Sequence, residues 1–387
     1  MKRVYICHYG EVGLKGGNRA LFERQLRLNI KSALEVQLPA VKAKLQVISK
    51  RFVVWFDEPV ENEKVESALR SVFGLVNFNP ALEVAPDITA IQEAAVAELR
   101  ELNFDSFAIR AKRADKNFPL NSQQINVQVG AHVVNQTQKK VDLTTPDITC
   151  YVEVLKDRAF VFAGKLPGPG GLPVGTAGKV LVLLSGGFDS PVAAYRVLKR
   201  GARCDFIHFH SFPFTEKTSQ EKVKRLAEVL NRFQFRAKLF MVPFAETQKE
   251  IVLNCPDRLR VILYRRFMMR IAEKVARRHG YKAIITGESM GQVASQTLEN
   301  MAAIEDAAGM PILRPLVGFD KSEIIDLARE IGTYEISALP HDDACTRFMP
   351  RHPEIHARVR DVRQAEAVLD VEEIVARNLR EIETIDL

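Results

Sequence analysis

An apolar run that ends in a glycine turn is the feature of this sequence that most restricts its fold. Residues 180–184 read Val-Leu-Val-Leu-Leu and lead directly into Ser-Gly-Gly-Phe-Asp-Ser-Pro at 185–191. The run predicts a buried strand, and the glycine pair predicts a sharp turn. A helix is predicted next, with Ser190 as its N-cap, Pro191 as its first residue and Gly201 as the residue that terminates it. The free N–H groups and the dipole of such a helix point at one spot, which predicts an anion site.

The residue types in this turn indicate which anion it binds. No lysine follows the second glycine, so the turn is not a Walker A loop. The six residues at 185–190 resemble the SGGxDS pyrophosphate loop of ATP-dependent adenylating enzymes, which release pyrophosphate and leave AMP on an oxygen. The alternative is an ordinary strand–turn–helix unit whose glycines serve only packing.

Length and composition set the broad class of the protein. A chain of 387 residues is expected to form two or three domains. Its hydrophobic content of 47% and charged content of 27% are those of an ordinary soluble protein. No apolar run is long enough to span a membrane, and no signal or transit peptide precedes the first strand-like segment, so a cytoplasmic protein is expected. The five cysteines include no CxxC pair, which excludes a dense disulfide framework or a simple zinc site and suits a reducing compartment.

The pattern of elements divides the chain into parts. A segment rich in glycine and proline at 166–178 cannot hold a helix or a central strand and is predicted to be a linker. Before it, mixed strand and helix patterns predict two α+β modules, at 1–60 and 61–165. After it, regular β–α alternation over 179–350 predicts a doubly wound parallel sheet with its ligand site at the carboxyl ends of the strands. A charged helical tail is predicted for 351–387.

Two basic stretches suggest a polyanionic partner. Residues 110–140 contain six basic residues and one acid, and residues 257–282 contain nine basic residues and two acids. Either stretch alone could be a solvated face. Together with an ATP motif they favour binding of a polyanion such as a nucleic acid.

Two further motifs follow in the alternating part. Residues 286–297 read Thr-Gly-Glu-Ser-Met-Gly-Gln-Val-Ala-Ser-Gln-Thr after a predicted strand, and their glycines allow the backbone to approach a ligand closely. Asp320 is predicted to cap another helix, which places Lys321 at its start. A cation is disfavoured there by the helix dipole, so Lys321 is interpreted as a functional cation beside a polyphosphate rather than as a surface lysine.

Taken together, five motifs in order resemble the ThiI family of tRNA 4-thiouridine synthetases. They are Tyr-Gly-Glu-Val-Gly-Leu-Lys-Gly at 9–16 with Asn18, Arg19 and Phe22, the stretch at 110–119, and the motifs at 185–192, 286–297 and 319–324. The resemblance implies an N-terminal ferredoxin-like domain, a THUMP RNA-binding domain and a PP-loop ATP pyrophosphatase domain. It also implies that tRNA is bound by six basic residues: Lys15, Arg19, Arg110, Lys112, Arg113 and Lys116.

The resemblance further implies a reaction. ATP with Mg²⁺ adenylates the 4-carbonyl oxygen of uridine 8 in tRNA, and persulfide sulfur then displaces AMP to give 4-thiouridine. Asp189 would orient Mg²⁺ or the pyrophosphate, and Lys321 would neutralise phosphate charge. The residues implied to contact the nucleotide are Leu183, Leu184, Ser185, Gly186, Gly187, Asp189, Ser190, His208, Phe209, Arg265, Gly287 and Gln296.

Cys345 is implied to carry the sulfur, because its sequence His-Asp-Asp-Ala-Cys-Thr-Arg-Phe lies where members of the family have their catalytic cysteine. A thiol in a polar loop is expected to be reactive. Cys7, Cys150 and Cys204 lie in apolar runs and are predicted to be buried. Cys255 precedes a proline at a helix boundary and remains a second possibility.

The resemblance leaves the sulfur source open. Many members of the family have a C-terminal rhodanese domain, but this sequence ends at Leu387 without room for one. Sulfur is then expected from a cysteine desulfurase or a separate rhodanese, unless the sequence is truncated. A homodimer and a role in supplying the ThiS carrier for thiamine synthesis are further implications. The alternatives are a related PP-loop enzyme with another sulfur or nitrogen donor, and a non-catalytic RNA-binding protein.

Overall fold

Two structural units make up the chain in the computed structural model, which describes residues 1–214, 216–340, 350 and 352–387. Unit 1 spans Met1–Pro173 and unit 2 spans Val174–Leu387. Within the described ranges, no helix combines the length and the apolar character that crossing a membrane requires.

Unit 1 is built on one mixed sheet in which the strands run in the order β2-β3-β1-β4-β8-β7-β5-β6, with β9 paired to β4. Strand β5 is parallel to β6 and β7, and the other pairs are antiparallel. The strands are β1 Lys2–Tyr9, β2 Lys44–Ile48, β3 Arg51–Trp55, β4 Leu75–Val84, β5 Ser106–Arg113, β6 Lys140–Val141, β7 Ile148–Val154, β8 Ala159–Ala163 and β9 Leu166–Pro167.

Four helices pack against this sheet in two pairs. They are α1 Arg19–Gln37, α2 Asn62–Arg70, α3 Ile88–Arg100 and α4 Ser122–Thr137. Helices α1 and α2 contact each other, as do α3 and α4. Asn121 forms a capping box with Gln124 at the start of α4, which satisfies N–H groups that a helix start leaves unpaired.

Strand β4 joins the two parts of unit 1. It pairs with β1 along most of its length and with β8 near its end. The modules predicted at 1–60 and 61–165 therefore share one continuous sheet. Helix α2, which the sequence interpretation placed in the second module, packs on α1 of the first.

Unit 2 contains a sheet in the order β14-β13-β10-β11-β12-β15, in which only β15 is antiparallel to its neighbour. Its strands are β10 Lys179–Leu183, β11 Arg203–His210, β12 Lys238–Pro243, β13 Ile284–Ile285, β14 Ile312–Leu313 and β15 Glu383–Asp386. Its described helices are α5 Asp189–Lys199, α6 Thr218–Asn231, α7 Ala245–Asn254, α8 Arg260–His279, α9 Leu298–Glu305, α10 Lys321–Glu330, α11 Tyr334–Ala338, α12 Val359–Glu366 and α13 Val371–Arg380. The predicted doubly wound parallel sheet is confirmed.

The strand order of unit 2 fixes where its site lies. The chain runs outward from β10 through β11 to β12, and then crosses to β13 on the other side of β10. Parallel sheets of this kind bind ligands at the carboxyl ends of the strands where the chain reverses its direction of winding. In this protein that point lies between β10 and β13.

The C-terminal segment is part of unit 2 rather than only a helical tail. Val362 of α12 and Ile374 of α13 are buried in the same core as α8. Strand β15 pairs with β12, with Met241 opposite Glu383. The last residues therefore cover an edge of the sheet that would otherwise be exposed.

Candidate active site

A cavity of about 300 Å³ lies at the switch point between β10 and β13. Of the twelve residues implied by the resemblance to contact nucleotide, eleven line it, and Gly186 does not. The eleven are Leu183, Leu184, Ser185, Gly187, Asp189, Ser190, His208, Phe209, Arg265, Gly287 and Gln296. The sequence interpretation did not assign Met268, Glu288 or Gln292, which also line the cavity. Glu288 and Gln292 could have been found, because both lie in the motif at 286–297.

The turn after β10 is closed by a serine pair. The Ser185 N–H donates to the Ser190 hydroxyl at 2.8 Å. Helix α5 begins at Asp189, and Phe188 occupies the N-cap position without a side-chain hydrogen bond. The prediction that Ser190 caps this helix is therefore wrong, because its hydroxyl folds the loop back on Ser185 instead. Pro191 lies in the first turn, where the missing N–H does no harm.

Gly287 brings the second motif against this helix start. A Cβ atom at Gly287 would lie 2.6 Å from the Ser190 backbone nitrogen and 2.8 Å from the Asp189 carbonyl carbon. Real side chains do not tolerate such distances, so only glycine allows the two loops to touch. The motifs at 185–191 and 286–297 therefore form one wall of the cavity.

Asp189 connects three motifs through its two carboxylate oxygens. Oδ1 accepts a hydrogen bond from Lys321 Nζ at 2.6 Å, across 132 residues of sequence. Oδ2 accepts one from Gln292 Nε2 at 3.0 Å. Asp320 and Glu323 form a capping box that fixes the start of α10, so the predicted cap at Asp320 is confirmed. Lys321 thus offsets its unfavourable place on the helix dipole by pairing with Asp189.

Glu288 holds a guanidinium group at the cavity. Its side chain is 2% exposed and accepts hydrogen bonds from Arg265 Nη1 at 2.8 Å and Arg314 Nε at 2.7 Å. Thr286 Oγ1 donates to the same carboxylate at 2.9 Å. A buried carboxylate requires such partners. The arrangement leaves Arg265 at the cavity wall with its positive charge available to a phosphate.

Two polar side chains at the cavity are nearly buried. His208, at the carboxyl end of β11, has its Nδ1 atom 2.9 Å from the Leu184 carbonyl oxygen. Gln296 is 5% exposed, and its Oε1 atom has no hydrogen-bond partner among the described residues. A buried oxygen of this kind is costly unless a donor reaches it. The exocyclic amino group of adenine is a donor of the required type.

The four cysteines among the described residues are all buried. Cys7, Cys150 and Cys204 are buried, as predicted, and burial raises the pKa of each thiol far above its usual value. Cys255 is also buried, its Sγ donates to the Ala365 carbonyl at 3.4 Å, and burial, aided by Glu366, raises its pKa to about 11. Cys345 lies outside the described residues.

The predicted RNA-contacting residues of unit 1 fall into two groups. Arg110 and Lys112 are exposed on β5, and Lys116 is exposed in the turn that follows. Arg113 instead donates to the Phe118 carbonyl at 3.0 Å and so holds that turn.

The two basic residues nearest the N-terminus are partly engaged as well. Arg19 pairs with Glu23 at 3.4 Å, and Lys15 lies over the Phe22 ring. The exposed charges of Arg110, Lys112 and Lys116 are thus the ones most available to a phosphate backbone.

The second basic stretch is mostly neutralised inside unit 2. Six of its nine basic residues form ion pairs, including Arg266 and Arg270, which share the buried Glu366. Glu366 is 5% exposed on its side chain and lies on α12. The sequence could not show this, because the acidic partner is about 100 residues away. These six residues form ion pairs within unit 2, whereas Lys274, Arg278 and Lys282 form none among the described residues.

Comparison with known proteins agrees with the geometry. Three protein-family models match: "ThiI ferredoxin-like domain" at residues 4–79, "THUMP domain" at 85–163 and "Thiamine biosynthesis protein (ThiI)" at 175–371. Probable tRNA sulfurtransferases of Moorella thermoacetica and Thermus thermophilus are each 43% identical to the chain. The alignments cover 98% and 97% of this chain and 96% and 92% of those proteins.

A solved structure gives the same result. The fold matches a 4-thiouridine synthetase crystallised with RNA and bound ATP, with a TM-score of 0.92 and 37% identity over the full length of both chains. The resemblance inferred from the five motifs is confirmed. The chain therefore belongs to the ThiI family of tRNA sulfurtransferases.

Proposed function

We propose that this protein is an ATP-dependent tRNA sulfurtransferase that converts uridine 8 of tRNA to 4-thiouridine. The observation that carries the proposal is the meeting of three distant motifs at one cavity. Asp189, Gln292 and Lys321 are joined there by hydrogen bonds at the start of α5. Such a helix start, with a cation beside it, suits a polyphosphate.

ATP fits the chemistry of the cavity wall. The volume of about 300 Å³ is at the lower end of the range for small-molecule sites. The unpartnered Gln296 Oε1 atom would accept a hydrogen bond from the adenine amino group. Arg265 would contact phosphate, and the loop at 185–188 would hold the pyrophosphate portion with its N–H groups.

In the first step, the uridine 4-oxygen attacks the α-phosphorus of ATP. An oxygen–phosphorus bond forms, the bond between the α- and β-phosphates breaks, and pyrophosphate leaves while the N3 proton passes to solvent. Negative charge grows on the leaving pyrophosphate, and fixed cations aimed at it lower the barrier. Lys321 supplies such a charge, and Asp189 orients it at 2.6 Å.

Mg²⁺ is proposed as the companion of ATP. The described residues contain no cluster of three potential metal ligands. Mg²⁺ is commonly held by one or two carboxylates together with substrate phosphates, and Asp189 offers one carboxylate at the cavity. The residues therefore fit an ion that arrives with the nucleotide and neutralises its phosphate charge.

In the second step, we assign Cys345 as the sulfur carrier. The terminal sulfur of its persulfide attacks C4 of the adenylated uridine, AMP leaves, and a second thiol then breaks the sulfur–sulfur bond to release 4-thiouridine and a disulfide. A persulfide is a good nucleophile near neutral pH because it is soft and acidic. A cysteine desulfurase is the proposed source of the sulfur.

Contacts of α11 and the residues after it support this assignment. The buried Lys222 Nζ donates to the carbonyl oxygens of Ser337 and Leu339 at 2.8 and 2.7 Å. Ser337 Oγ in turn donates to the Gly187 carbonyl at 3.1 Å. The chain is thus tied to the pyrophosphate loop a few residues before Cys345.

A sulfur-transfer assay tests the proposal. Unmodified tRNA is incubated with the protein, ATP, Mg²⁺, cysteine and a cysteine desulfurase, and 4-thiouridine is read by its near-ultraviolet absorbance. We expect product from the wild type and from Cys255→Ser, and none from Cys345→Ser, which should still release pyrophosphate. No product from the wild type would reject the function. Equal product from Cys345→Ser would reject the carrier and favour a related enzyme with another donor.

A further inference from the structure

The edge of the unit 2 sheet opposite the cavity carries a row of basic residues that the proposed function does not use. Four neighbouring strands each have a basic residue at or just before their start. In the order of the sheet, these are Lys282 at β13, Lys179 at β10, Arg203 at β11 and Lys238 at β12. Lys179 is directly opposite Arg203, and the Lys282 N–H donates to the Lys179 carbonyl at 2.9 Å. Because neighbouring strands are about 4.8 Å apart, the row presents one basic residue per strand at that spacing.

A second cavity, of about 260 Å³, adjoins this row. Lys274, Arg278 and His279 of α8 line it together with Phe240 and residues of the C-terminal segment. Burial and the positive charges of Lys238, Arg278 and Lys179 lower the pKa of His279, against the opposing effect of Asp205. Lys238 and Lys179 of the row and Arg278 of the cavity therefore all act on the His279 ring, which places the cavity beside the row.

Most of this positive charge is not neutralised. Lys238 pairs with Asp386 at 3.4 Å, but the Asp386 side chain is 83% exposed. Ion pairs as exposed as this one contribute little free energy. In the described part of the chain, no ion pair is formed by the remaining basic residues of the surface: Lys179, Arg203, Lys274, Arg278 and Lys282. By contrast, most of the other basic residues of α8 form ion pairs with carboxylates of unit 2.

The surface is separate from the candidate active site. Met268 lines the nucleotide cavity, and Arg278 lines the second cavity on the same helix. Ten residues of α-helix correspond to about 15 Å. A ligand at the basic edge would therefore bind in addition to ATP and not in its place.

The composition of the surface favours a nucleic acid over an acidic protein. Protein interfaces usually have an apolar centre, yet none of the exposed large hydrophobic side chains of the described chain lies among these residues. Regularly spaced lysine and arginine residues suit the repeating charge of a phosphate backbone. We infer that this edge, formed by the starts of β10, β11 and β13 and the end of α8, binds the sugar–phosphate backbone of the tRNA substrate.

This inference rests on the proposed function, and the salt dependence of tRNA binding tests it. Lys179→Gln with Lys282→Gln removes two exposed cations from the row, and Lys224→Gln with Arg225→Gln removes two from the exposed face of α6 as the matched control. Binding of an unmodified tRNA transcript to the full chain is measured between 50 and 200 mM salt. The logarithm of the binding constant falls as the logarithm of the salt concentration rises. Each lost phosphate contact should make this negative slope shallower by about 0.7 to 0.9.

We expect the slope to fall by about 1.4 to 1.8 for the edge variant and to stay at the wild-type value for the control, with ATP affinity unchanged in both. An unchanged slope in the edge variant would overturn the inference, and so would an equal fall in both variants. If the wild type forms 4-thiouridine while the edge variant binds tRNA normally, only this inference fails. If the wild type neither binds tRNA nor forms 4-thiouridine, the proposed function fails with it.

Discussion

At the scale of single residues, the candidate site depends on charges that are held in place by other charges. Asp189 receives hydrogen bonds from both Lys321 and Gln292, so neither carboxylate oxygen is free to turn. The nearly fully buried Glu288 pairs with Arg265 and so fixes the orientation of that guanidinium group. Two cations are therefore oriented before any nucleotide binds, which is the condition under which electrostatic catalysis is most effective.

Lys321→Gln tests the electrostatic role. We expect ATP-dependent pyrophosphate release to fall by about 10²–10³-fold, because one fixed charge facing the leaving group is lost. The side chain is 43% exposed, so the thermal unfolding midpoint should not change. Lys224→Gln, on the exposed face of α6, is the control. A rate within threefold of the wild type would show that Lys321 is only a surface lysine.

Thiol alkylation tests the assignment of the reactive cysteine. With a pKa of about 11, Cys255 is a thiolate to the extent of roughly 0.03% at pH 7.5, and Cys7, Cys150 and Cys204 to a smaller extent. Native protein treated with iodoacetamide should therefore be labelled first at Cys345. Labelling of Cys255 should rise about tenfold per pH unit between pH 7.5 and 9.5.

Peptide mapping by mass spectrometry gives the readout for this experiment. In Cys345→Ser, early labelling should disappear, whereas protein in denaturant should take up label at every remaining cysteine. Equally fast labelling of Cys255 in the native wild type would contradict the assignment.

At the scale of elements, residue patterns predicted the strands and helices that carry the candidate site and missed a turn, a helix cap and an edge strand. The strand–turn–helix unit at β10 and α5 and the cap at Asp320 follow from neighbouring residues and are found in the structure. A turn at Ser49 and Lys50, with φ of 46° and 66°, separates strand β2 from strand β3. Neither residue is glycine or asparagine, so the usual hairpin signal is absent.

Two other features could not be found from local patterns. Strand β15 has four residues, and its partner β12 lies far earlier in the chain. Ser190 has the type of an N-cap residue, but its hydroxyl is used by Ser185. In both cases the deciding contact is one that local propensity does not register.

Helix α12 gives a prediction about stability and pH. Burial alone would raise the pKa of Glu366, but hydrogen bonds from Arg270 and Arg266 outweigh it and hold the pKa below its usual value. Glu366→Gln leaves Arg266 buried without a full counter-charge, which should cost about 3–5 kcal/mol of unfolding free energy. That corresponds to a thermal midpoint lower by roughly 10 °C.

The pH dependence has a definite sign. Because the folded pKa of Glu366 is lowered, its contribution is present above the unfolded pKa of about 4.3 and is lost as pH falls through the folded value. The midpoints of wild type and Glu366→Gln should therefore differ by a nearly constant amount above about pH 5 and converge as pH falls below about 4. Glu381→Gln, an exposed carboxylate in the same segment, is the control. A difference that persists unchanged below about pH 4 would show that the effect comes from packing rather than charge.

At the scale of the whole molecule, the two units divide the proposed work. Every described residue assigned to ATP lies in unit 2, which has its own sheet and core. The exposed basic residues of β5 lie in unit 1. Nucleotide chemistry and most of the RNA affinity are thus expected from different parts of the chain.

Residues 174–387 expressed alone test this division. The unit should bind ATP with a dissociation constant within about threefold of the full chain, because the whole nucleotide cavity is retained. Its tRNA affinity should fall roughly tenfold or more, since the phosphate contacts of unit 1 are removed. The binding that remains should still weaken with salt, because the basic edge of the sheet is present. Circular dichroism establishes that the unit is folded. A folded unit that fails to bind ATP would show that unit 1 completes the nucleotide site, and unchanged tRNA affinity would place RNA recognition in unit 2.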